Sequence, residues 1–386
     1  MATMVINQQE ALKNTGTTKA SRPRLLSLDF FRGFTVAAMI LVNDPGDWGH
    51  IYWPLEHSKW NGCTPTDLVF PFFLFMVGVS IVYAMESKKA DIANHNKLLL
   101  SILRRTLIII ALGVCLPLIN DFQFAHLRFP GVLQRIGLVF GITALLYVKT
   151  GIRTQVIIAV SCLIGYYLLM TLAPVPGFGT PNLEPATNLG AWIDRSVFTE
   201  NHLWSSSKTW DPEGLLGTIP SVATCLLGVF TGTWLKMGKL ATRADLLKIM
   251  GAGIVLIILA LIWNPFFPIN KQLWTSSFVL LTAGLAINIL ALSYWFIDIK
   301  GNKALLPPFL AFGRNAIAAY VLADIIPALI AAIPVGKTNL WSFTYNHLFV
   351  PYLSPENASL AGAILTVLII FIPVWILYKR NITIKV

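Results

Sequence analysis

One stretch of the chain brings together side chains suited to proton transfer and hydrogen bonding: Asn43, Glu56, His57 and Asp67. A histidine with an ordinary pKa of about 6.5 accepts a proton near neutral pH. A carboxylate beside it, Glu56 or Asp67, can orient the imidazole, and the Asn43 amide can donate to a developing negative charge. Taken singly, His57 is typical of an interfacial histidine, and Asp67 of a helix cap with Thr64. The four residues together favour a functional site.

Basic and amide side chains within apolar stretches form a second set of candidates: Arg105, Gln134, Arg135, Arg314 and Asn315. Long basic side chains near helix ends commonly extend towards water and act as simple anchors. As a group, however, the arginines suit a polyphosphorylated ligand, because guanidinium groups bind phosphate oxygens in pairs. Arg135, about one turn into a predicted helix, should face the interior of a bundle and find a partner there.

The elements that must position these residues are membrane helices. Hydrophobic residues make up 55% of the 386 residues and charged residues only 12%, and the mean hydropathy is +0.68. A soluble domain normally carries about twice that share of charge, because its surface must be solvated. The composition therefore predicts an all-α integral membrane protein. Polar groups at membrane depth are costly, which strengthens the functional interpretation of the candidates above.

Ten stretches are apolar and long enough for a helix that crosses the hydrocarbon core, which takes about 20 residues. They predict a single transmembrane domain, 27–378, between two tails, 1–26 and 379–386. Residues 1–26 lack the apolar core of a secretory signal. The predicted spans are 27–46, 65–85, 99–119, 131–148, 155–174, 215–236, 248–264, 274–296, 307–333 and 357–378.

Lysine and arginine are unevenly distributed among the connecting loops. One set of loops and both tails are rich in them, whereas the other set, which includes the loop of His57, carries few. The positive-inside rule places the rich set and both termini in the cytoplasm, in agreement with an even number of spans, and the His57 loop outside. The net charge of +11 thus has a topological explanation. It indicates a lipid bilayer as partner and excludes nucleic acid.

Two of the predicted outer loops, about 47–64 and 175–214, are long enough to do more than connect spans. The Trp, Phe and Leu content of the second predicts a folded extracytoplasmic cap over the bundle. The cysteines at positions 63, 115, 162 and 225 show no metal-ligand spacing. We therefore expect no metal site and interpret these thiols as incidental.

Five segments, in this order, carry a family resemblance: SLDFFRG, LEHSKWNGCTPTDLVFPFFLFMVG, FPGVLQRIG, DPEGLLGT and NKQLWTSSFV. Over about residues 25–380 the chain resembles the heparan-alpha-glucosaminide N-acetyltransferases, and we expect it to be the shorter bacterial form, in a cell inner membrane. The resemblance implies transfer of acetyl from cytoplasmic acetyl-CoA to the amino group of glucosamine or of a terminal glucosaminide. It also makes a homodimer plausible.

The resemblance also assigns roles to residues. The family's active-site histidine matches His57, and its neighbouring asparagine matches Asn43, while Glu56 or Asp67 would orient the imidazole. For such a reaction, we expect sugar contacts from Trp60, Asn61, Asp211 and Glu213. Coenzyme A is expected near Arg105, Gln134, Arg135, Arg314 and Asn315.

Several alternatives stay open at this stage. His57 acts either as a general base for direct transfer or as a nucleophile that carries the acetyl group itself; the first is favoured because it needs no extra intermediate. A sugar or amino-sugar permease would also suit ten spans with a polar vestibule. A membrane acyltransferase that modifies another envelope glycan is a nearer rival.

Overall fold

The computed structural model describes residues 25–120, 122–237, 243–304 and 306–384 as a helical bundle. Its one small hairpin pairs β1, Pro334–Val335, with β2, Thr338–Asn339. Most of the predicted tail 1–26, and residues 385–386 of the other tail, lie outside the described residues. The helices are α1 Leu26–Asn43, α2 Val69–Lys89, α3 His95–Asn120, α4 Val132–Lys149, α5 Ile152–Leu172, α6 Leu189–Phe198, α7 Thr218–Lys236, α8 Arg243–Trp263, α9 Ser276–Tyr294, α10 Leu306–Arg314, α11 Ala316–Ala332, α12 Leu340–Leu348 and α13 Pro355–Lys379.

The membrane helices match the predicted spans closely. Within the described ranges, nine helices are long and apolar enough to cross a membrane, or ten if the bent pair α10 and α11 counts as one span. Many of their large apolar side chains are exposed, as expected for surfaces that face lipid rather than water. The prediction of an all-α membrane bundle is confirmed.

The predicted span 307–333 differs from a simple helix. The chain bends by 86° between α10 and α11, at Asn315, whose φ of −122° and ψ of 39° leave the helical region. The buried Asn315 amide donates to the carbonyl of Ile382 at 3.1 Å, and its oxygen accepts from the backbone N–H of Ile384 at 2.9 Å. The side chain thus ties the segment that follows α13 to the break, which sequence periodicity could not show.

Two helix crossings are so close that they require glycine. A Cβ atom on Gly78 of α2 would lie 1.9 Å from the carbonyl oxygen of Cys225, and one on Gly228 of α7 would lie 2.0 Å from that of Phe75. Gly33 of α1 meets α10 in the same way. Small residues allow helix backbones to approach closely in membranes. These crossings fix α1, α2, α7 and α10, whose ends carry the polar residues described below.

The long segment between α5 and α7 is folded, as its composition predicted. α6 is capped by Asn188, whose side chain accepts from the N–H of Ala191 at 2.9 Å. Leu189 packs with Tyr166 of α5 and with Phe267 of the α8–α9 loop. The cap therefore rests on the same end of the bundle as the loop that carries His57, and the two are joined by the contacts described next.

Candidate active site

The His57 side chain is held by Asp67 at the start of α2. Its Nδ1 lies 2.7 Å from Asp67 Oδ1. The other carboxylate oxygen accepts from the backbone N–H groups of Ser58 and Thr64 and from the Thr64 hydroxyl. Thr64 and Asp67 form a capping box on the turn Pro65–Leu68, which leads into α2. Asp67 is fully buried, whereas the His57 side chain is partly exposed.

This arrangement fixes the role of each ring nitrogen. An ionised carboxylate only accepts hydrogen bonds, so Nδ1 of His57 carries the proton and Nε2 keeps a free lone pair when the ring is neutral. Asp67 is therefore the acidic partner of His57. Glu56 is exposed, and its backbone carbonyl accepts from the Thr64 hydroxyl at 2.7 Å. Of the two carboxylates predicted to orient the imidazole, Asp67 has the required contact.

A residue that sequence analysis treated only as a loop charge, Lys271, completes this group. Its Nζ lies 3.2 Å from Nε2 and 3.4 Å from Nδ1 of His57. Burial lowers the pKa of Lys271, although the negative charges of Glu213 and Asp67 oppose that shift. The signal that could have found it was its place in the NKQLWTSSFV segment.

The loop of Lys271 is tied directly to the loop of His57. The side-chain amide of Asn270 donates to Asn61 Oδ1 at 3.1 Å, and the Gly62 N–H donates to the Ile269 carbonyl at 2.8 Å. Trp274, just beyond Lys271, has a φ of +55° and is completely buried. A left-handed conformation costs a non-glycine residue about 1–2 kcal/mol, so the surrounding structure must hold it in place.

A second charged group lies beside the first. Arg128 donates to both oxygens of Asp211, at 2.8 and 2.5 Å, and to Glu213 at 2.6 Å. Burial alone would raise the pKa of Glu213, but the positive charges of Arg128, Lys271 and Arg135 outweigh it and lower that pKa. Glu213 is therefore a buried anion between Arg128 and Lys271.

One cavity of about 780 Å³ connects these groups with the other end of the bundle. At one end it is lined by Asn43, His57, Glu213 and Lys271, and its middle is largely apolar. Its volume lies in the range of sites for ligands of cofactor size. We call the first part the His57 end.

The opposite end of the cavity is cationic. It is lined by Arg32, Lys88, Arg104, Arg105 and Arg314. Along α1, Arg32 lies about 16 Å from Asn43, because an α-helix rises 1.5 Å per residue. We call this part the arginine end. Its side chains can bind an anionic group while the rest of a ligand extends towards His57.

Two of these arginines have incomplete contacts. The Arg314 guanidinium lies 4.8 Å from the ring centre of Tyr378, and its buried Nε has no hydrogen-bond partner among the described residues. Arg105 lies 4.7 Å from the ring centre of Phe140. By contrast, Arg32 donates to the Gly313 carbonyl and to the Ser80 hydroxyl. A buried donor without an acceptor is costly, which points to a ligand that supplies one at Arg314.

Comparison with known proteins identifies the family of the chain. The family model for the catalytic region of heparan-alpha-glucosaminide N-acetyltransferase matches residues 24–262. The chain belongs to this family. It is 32% identical over 362 residues to the mouse protein named heparan-alpha-glucosaminide N-acetyltransferase, covering 80% of this chain and 55% of that protein. The human protein of the same name is 31% identical over 360 residues, with 80% and 54% covered. The chain thus spans about half the length of these relatives.

The N-acetyltransferase family model includes His57, Asp67 and Glu213 but ends before the loop of Lys271. The site described above therefore combines residues from the matched region with a lysine from beyond it. This is a consequence of folding, since Lys271 is 214 positions away from His57 in the chain.

The residues predicted to contact coenzyme A fall in two places. Arg105 and Arg314 lie together at the arginine end of the cavity. Gln134 and Arg135 lie in the first turn of α4, on the side of the cap. Arg135 is buried there, and its Nη2 donates to the Gly214 carbonyl at 2.7 Å. Its guanidinium also lies 5.3 Å from the ring centre of Trp274. Asn315 binds the segment that follows α13, as described above.

The residues predicted to contact a sugar are likewise divided. Glu213 lines the cavity. The Trp60 indole donates to the Leu183 carbonyl at 3.0 Å and lies edge-on to Trp210, so it joins the His57 loop to the cap. Asn61 accepts from Asn270, and Asp211 is held by Arg128 and by the backbone N–H of Trp204. Trp60, Asn61 and Asp211 thus support the walls of the site.

Proposed function

We propose that this chain is a membrane-embedded acetyltransferase that moves acetyl from acetyl-CoA to the amino group of glucosamine or of a terminal glucosaminide. The observation that carries the proposal is the single cavity that joins the His57–Asp67 pair to the arginine end. A long ligand with phosphates at one end and a thioester at the other suits such a cavity. Family membership supports the same reaction.

The proposed donor pose follows from charge and length. The phosphates of coenzyme A bind Arg105 and Arg314, and Arg314 Nε gains the acceptor that it lacks. The pantetheine arm runs through the apolar middle of the cavity, past residues such as Phe73 and Ile136. The thioester then lies at the His57 end, beside Asn43.

The proposed chemistry begins with the acceptor. A glucosamine ammonium cannot attack a thioester until it loses a proton, which Nε2 of His57 accepts while Asp67 stabilises the resulting imidazolium. The amine nitrogen bonds to the thioester carbon, and the Asn43 amide donates to the oxyanion that forms. The carbon–sulfur bond then breaks, and the leaving sulfur takes its proton from His57. The remaining extra proton on the nitrogen passes to Nε2 of His57 and from there to solvent, which leaves a neutral amide. The products are coenzyme A and an N-acetyl sugar.

Two routes for the acetyl group remain within this proposal, and direct transfer is the one that we favour. Because His57 lines the cavity and its Nδ1 is held by Asp67, Nε2 could also take the acetyl group itself before passing it to the sugar. Rapid mixing with labelled acetyl-CoA and no sugar separates the two. Stoichiometric release of coenzyme A with labelled protein would exclude direct transfer as the sole route.

The proposal includes an orientation in the membrane. The positive-inside distribution supports cytoplasmic termini, an arginine end open to cytoplasmic acetyl-CoA and a His57 end on the outer side of an inner membrane. One transmembrane acyltransferase domain over 27–378, with loops at 47–64 and 175–214 as its cap, fits this orientation. A homodimer is part of the same proposal and is tested by the mass of the detergent-purified protein.

A direct assay tests the function. Purified protein is mixed with acetyl-CoA and a panel of amino sugars, and both thiol release and acetylated product are measured. We expect thiol release that depends on an amino sugar with a free amine, and none with N-acetylglucosamine. Uptake of unchanged sugar into vesicles without thioester consumption would instead identify a permease. Turnover with a glycan and not with glucosamine would indicate another envelope acceptor.

A further inference from the structure

We propose that Lys271 is a further catalytic residue of this site, and that its ammonium group donates to the carbonyl oxygen of the acetyl group as the tetrahedral intermediate forms. The inference rests on the proposed acetyl transfer. It assigns a role to a lysine whose Nζ lies within 3.4 Å of both ring nitrogens of His57.

The position of Lys271 supports a contact with the reacting atoms. Its Nζ lies 3.2 Å from Nε2 of His57, and both residues line the cavity. The incoming amine must come within hydrogen-bond reach of Nε2 to lose its proton, and the carbonyl that it attacks lies next to it. An ammonium on a flexible side chain beside Nε2 is therefore within reach of the carbonyl oxygen.

The carboxylates nearest Lys271 are engaged with other partners. Asp67 and Glu213 act on Lys271 through space, but their short hydrogen bonds go to His57 and Arg128, respectively. Burial, with the positive charges of Arg128 and Arg135, lowers the pKa of Lys271 against the effect of the two carboxylates. Among the described residues no carboxylate takes up the hydrogen-bonding capacity of Nζ, and a developing oxyanion is a better acceptor than the imidazole.

The surrounding loop restricts where Lys271 can go. Asn270 is anchored to Asn61, and it also accepts from the Leu273 N–H at 2.8 Å. The buried Trp274 indole donates to the Thr224 hydroxyl at 3.1 Å and holds a left-handed backbone in place. Strained backbone of this kind is common at functional sites, where the surrounding structure over-determines it. The position of Lys271 relative to His57 is thus set before substrates arrive.

A second role for Lys271 is chemically possible, and the experiment must distinguish it from the proposed one. If Lys271 loses its proton to His57, its Nζ can attack the thioester carbon, break the carbon–sulfur bond and keep the acetyl group as an amide. Such an amide is too stable to pass acetyl on to a sugar. Acetylation of Lys271 would therefore inactivate the enzyme, whereas the proposed role requires the lysine to remain unmodified during turnover.

The experiment compares Lys271→Met, which keeps the length but removes the charge, with Lys271→Arg, which keeps a charge. Lys59→Met is the matched control, since Lys59 is exposed and lies outside the cavity on the His57 loop. We expect kcat to fall by about 10²–10³-fold in Lys271→Met, the usual effect of losing one oxyanion donor, with both KM values near those of wild type. Lys271→Arg should recover part of kcat, and Lys59→Met should match wild type.

Chemical rescue keeps the test independent of folding defects. Lys271→Cys treated with 2-bromoethylamine regains a primary ammonium at nearly the original distance, and treated wild type controls for the other cysteines. Activity should return with the ammonium.

A Lys271→Met variant that binds acetyl-CoA and turns over like wild type would overturn the role of Lys271 alone. Peptide mass spectrometry that finds Lys271 acetylated during steady turnover would overturn it too. Inactive wild type would overturn the acetyl-transfer proposal itself.

Discussion

The loop between α1 and α2 contains two histidine–aspartate pairs with the same separation. His50 Nδ1 lies 2.7 Å from Asp47 Oδ2, and His57 Nδ1 lies 2.7 Å from Asp67 Oδ1. In the first pair the side chains are 49% and 41% exposed, and in the second they are 41% and 0% exposed. The distance between the two groups therefore does not distinguish them, and the environment of the carboxylate does.

The difference lies in what else each aspartate contacts. Asp67 accepts hydrogen bonds from two backbone N–H groups and a hydroxyl besides His57, all within the body of the protein. Asp47 accepts from His50 and from the backbone N–H of Gly49, and these hydrogen bonds lower its pKa. Water screens an exposed pair of this kind and weakens it. An orienting carboxylate needs partners that do not move. His57, unlike His50, also lines the cavity that leads to the arginine end.

The largest effect that this comparison predicts is the loss of activity on removing His57. His57→Ala should lower kcat by about 10³–10⁴-fold, at the upper end of what a general base contributes, with acetyl-CoA affinity largely unchanged. His50→Ala should stay close to wild type. Steady-state thiol release and calorimetric binding of acetyl-CoA measure both quantities. Near-normal turnover of the His57 variant would contradict the assignment.

The second prediction concerns the two aspartates. Asp67→Asn should lower kcat by about 10²–10³-fold, because an amide in place of the carboxylate no longer fixes the proton on Nδ1 or stabilises the imidazolium. Asp47→Asn should have little effect on kcat, since its histidine lies outside the cavity. Measuring kcat for the two variants side by side gives the comparison its sharpest form. Equal losses in both would show that the loop as a whole, and not the buried pair, determines activity.

The third prediction tests the arginine end against the His57 end. Arg314→Gln should raise the KM for acetyl-CoA by about 10-fold or more, the effect of losing a hydrogen bond to a charged group, with a smaller change in kcat. Arg153→Gln, on an exposed residue of α5 outside the cavity, is the control. An Arg314 variant with an unchanged KM would place the phosphates of coenzyme A elsewhere.

The smallest predicted effect concerns a buried carboxylate with fewer partners than Asp67. Asp194 of the cap accepts the N–H of Leu215, and burial, together with the nearby charge of Asp211, raises its pKa to about 7. In an unfolded chain this pKa is about 4, so the native state holds the proton more tightly and loses stability as the pH rises from about 4 to 7.

Asp194→Asn removes this pH dependence. Between about pH 5 and pH 8, the thermal midpoint of wild type should fall by about 2–4 °C relative to that of the variant. Asp91→Asn, at an exposed position, controls for a general effect of charge. Parallel melting curves of wild type and the Asp194 variant at all pH values would show that Asp194 titrates normally in the folded protein.

The sequence predicted the parts of the structure that local pattern determines. Runs of apolar residues predicted the membrane helices, and the short spacing between His57 and Asp67 made their contact plausible. The bend at Asn315 was missed, because it depends on hydrogen bonds to residues near 383. Lys271 was missed as well, since its neighbour His57 is distant in sequence. Contacts between remote segments depend on the packed bundle, which no single window of sequence contains.

The same limit explains the residues placed at a different end from the one expected. Arg135 lies inside the bundle on the side of the cap rather than among the other arginines. Its Nη2 donates to the Gly214 carbonyl, while its buried Nε and Nη1 have no partner among the described residues. A sequence pattern places a residue along its helix. The end of the bundle at which that residue lies also depends on the direction in which the helix runs through the bundle.

The close crossing of α2 and α7 has a consequence for how this protein can change over evolution. A Cβ at Gly78 or Gly228 would strike the backbone of the opposite helix, and a backbone cannot rotate away as a side chain can. Gly78 lies about 14 Å along α2 from Val69, where the helix begins, since each residue adds 1.5 Å. In a saturation mutagenesis library, these two positions should therefore tolerate almost no replacement, while lipid-facing positions on the same helices tolerate many. Sequence constraint would then be strong at a helix crossing that lies away from the His57 end of the cavity.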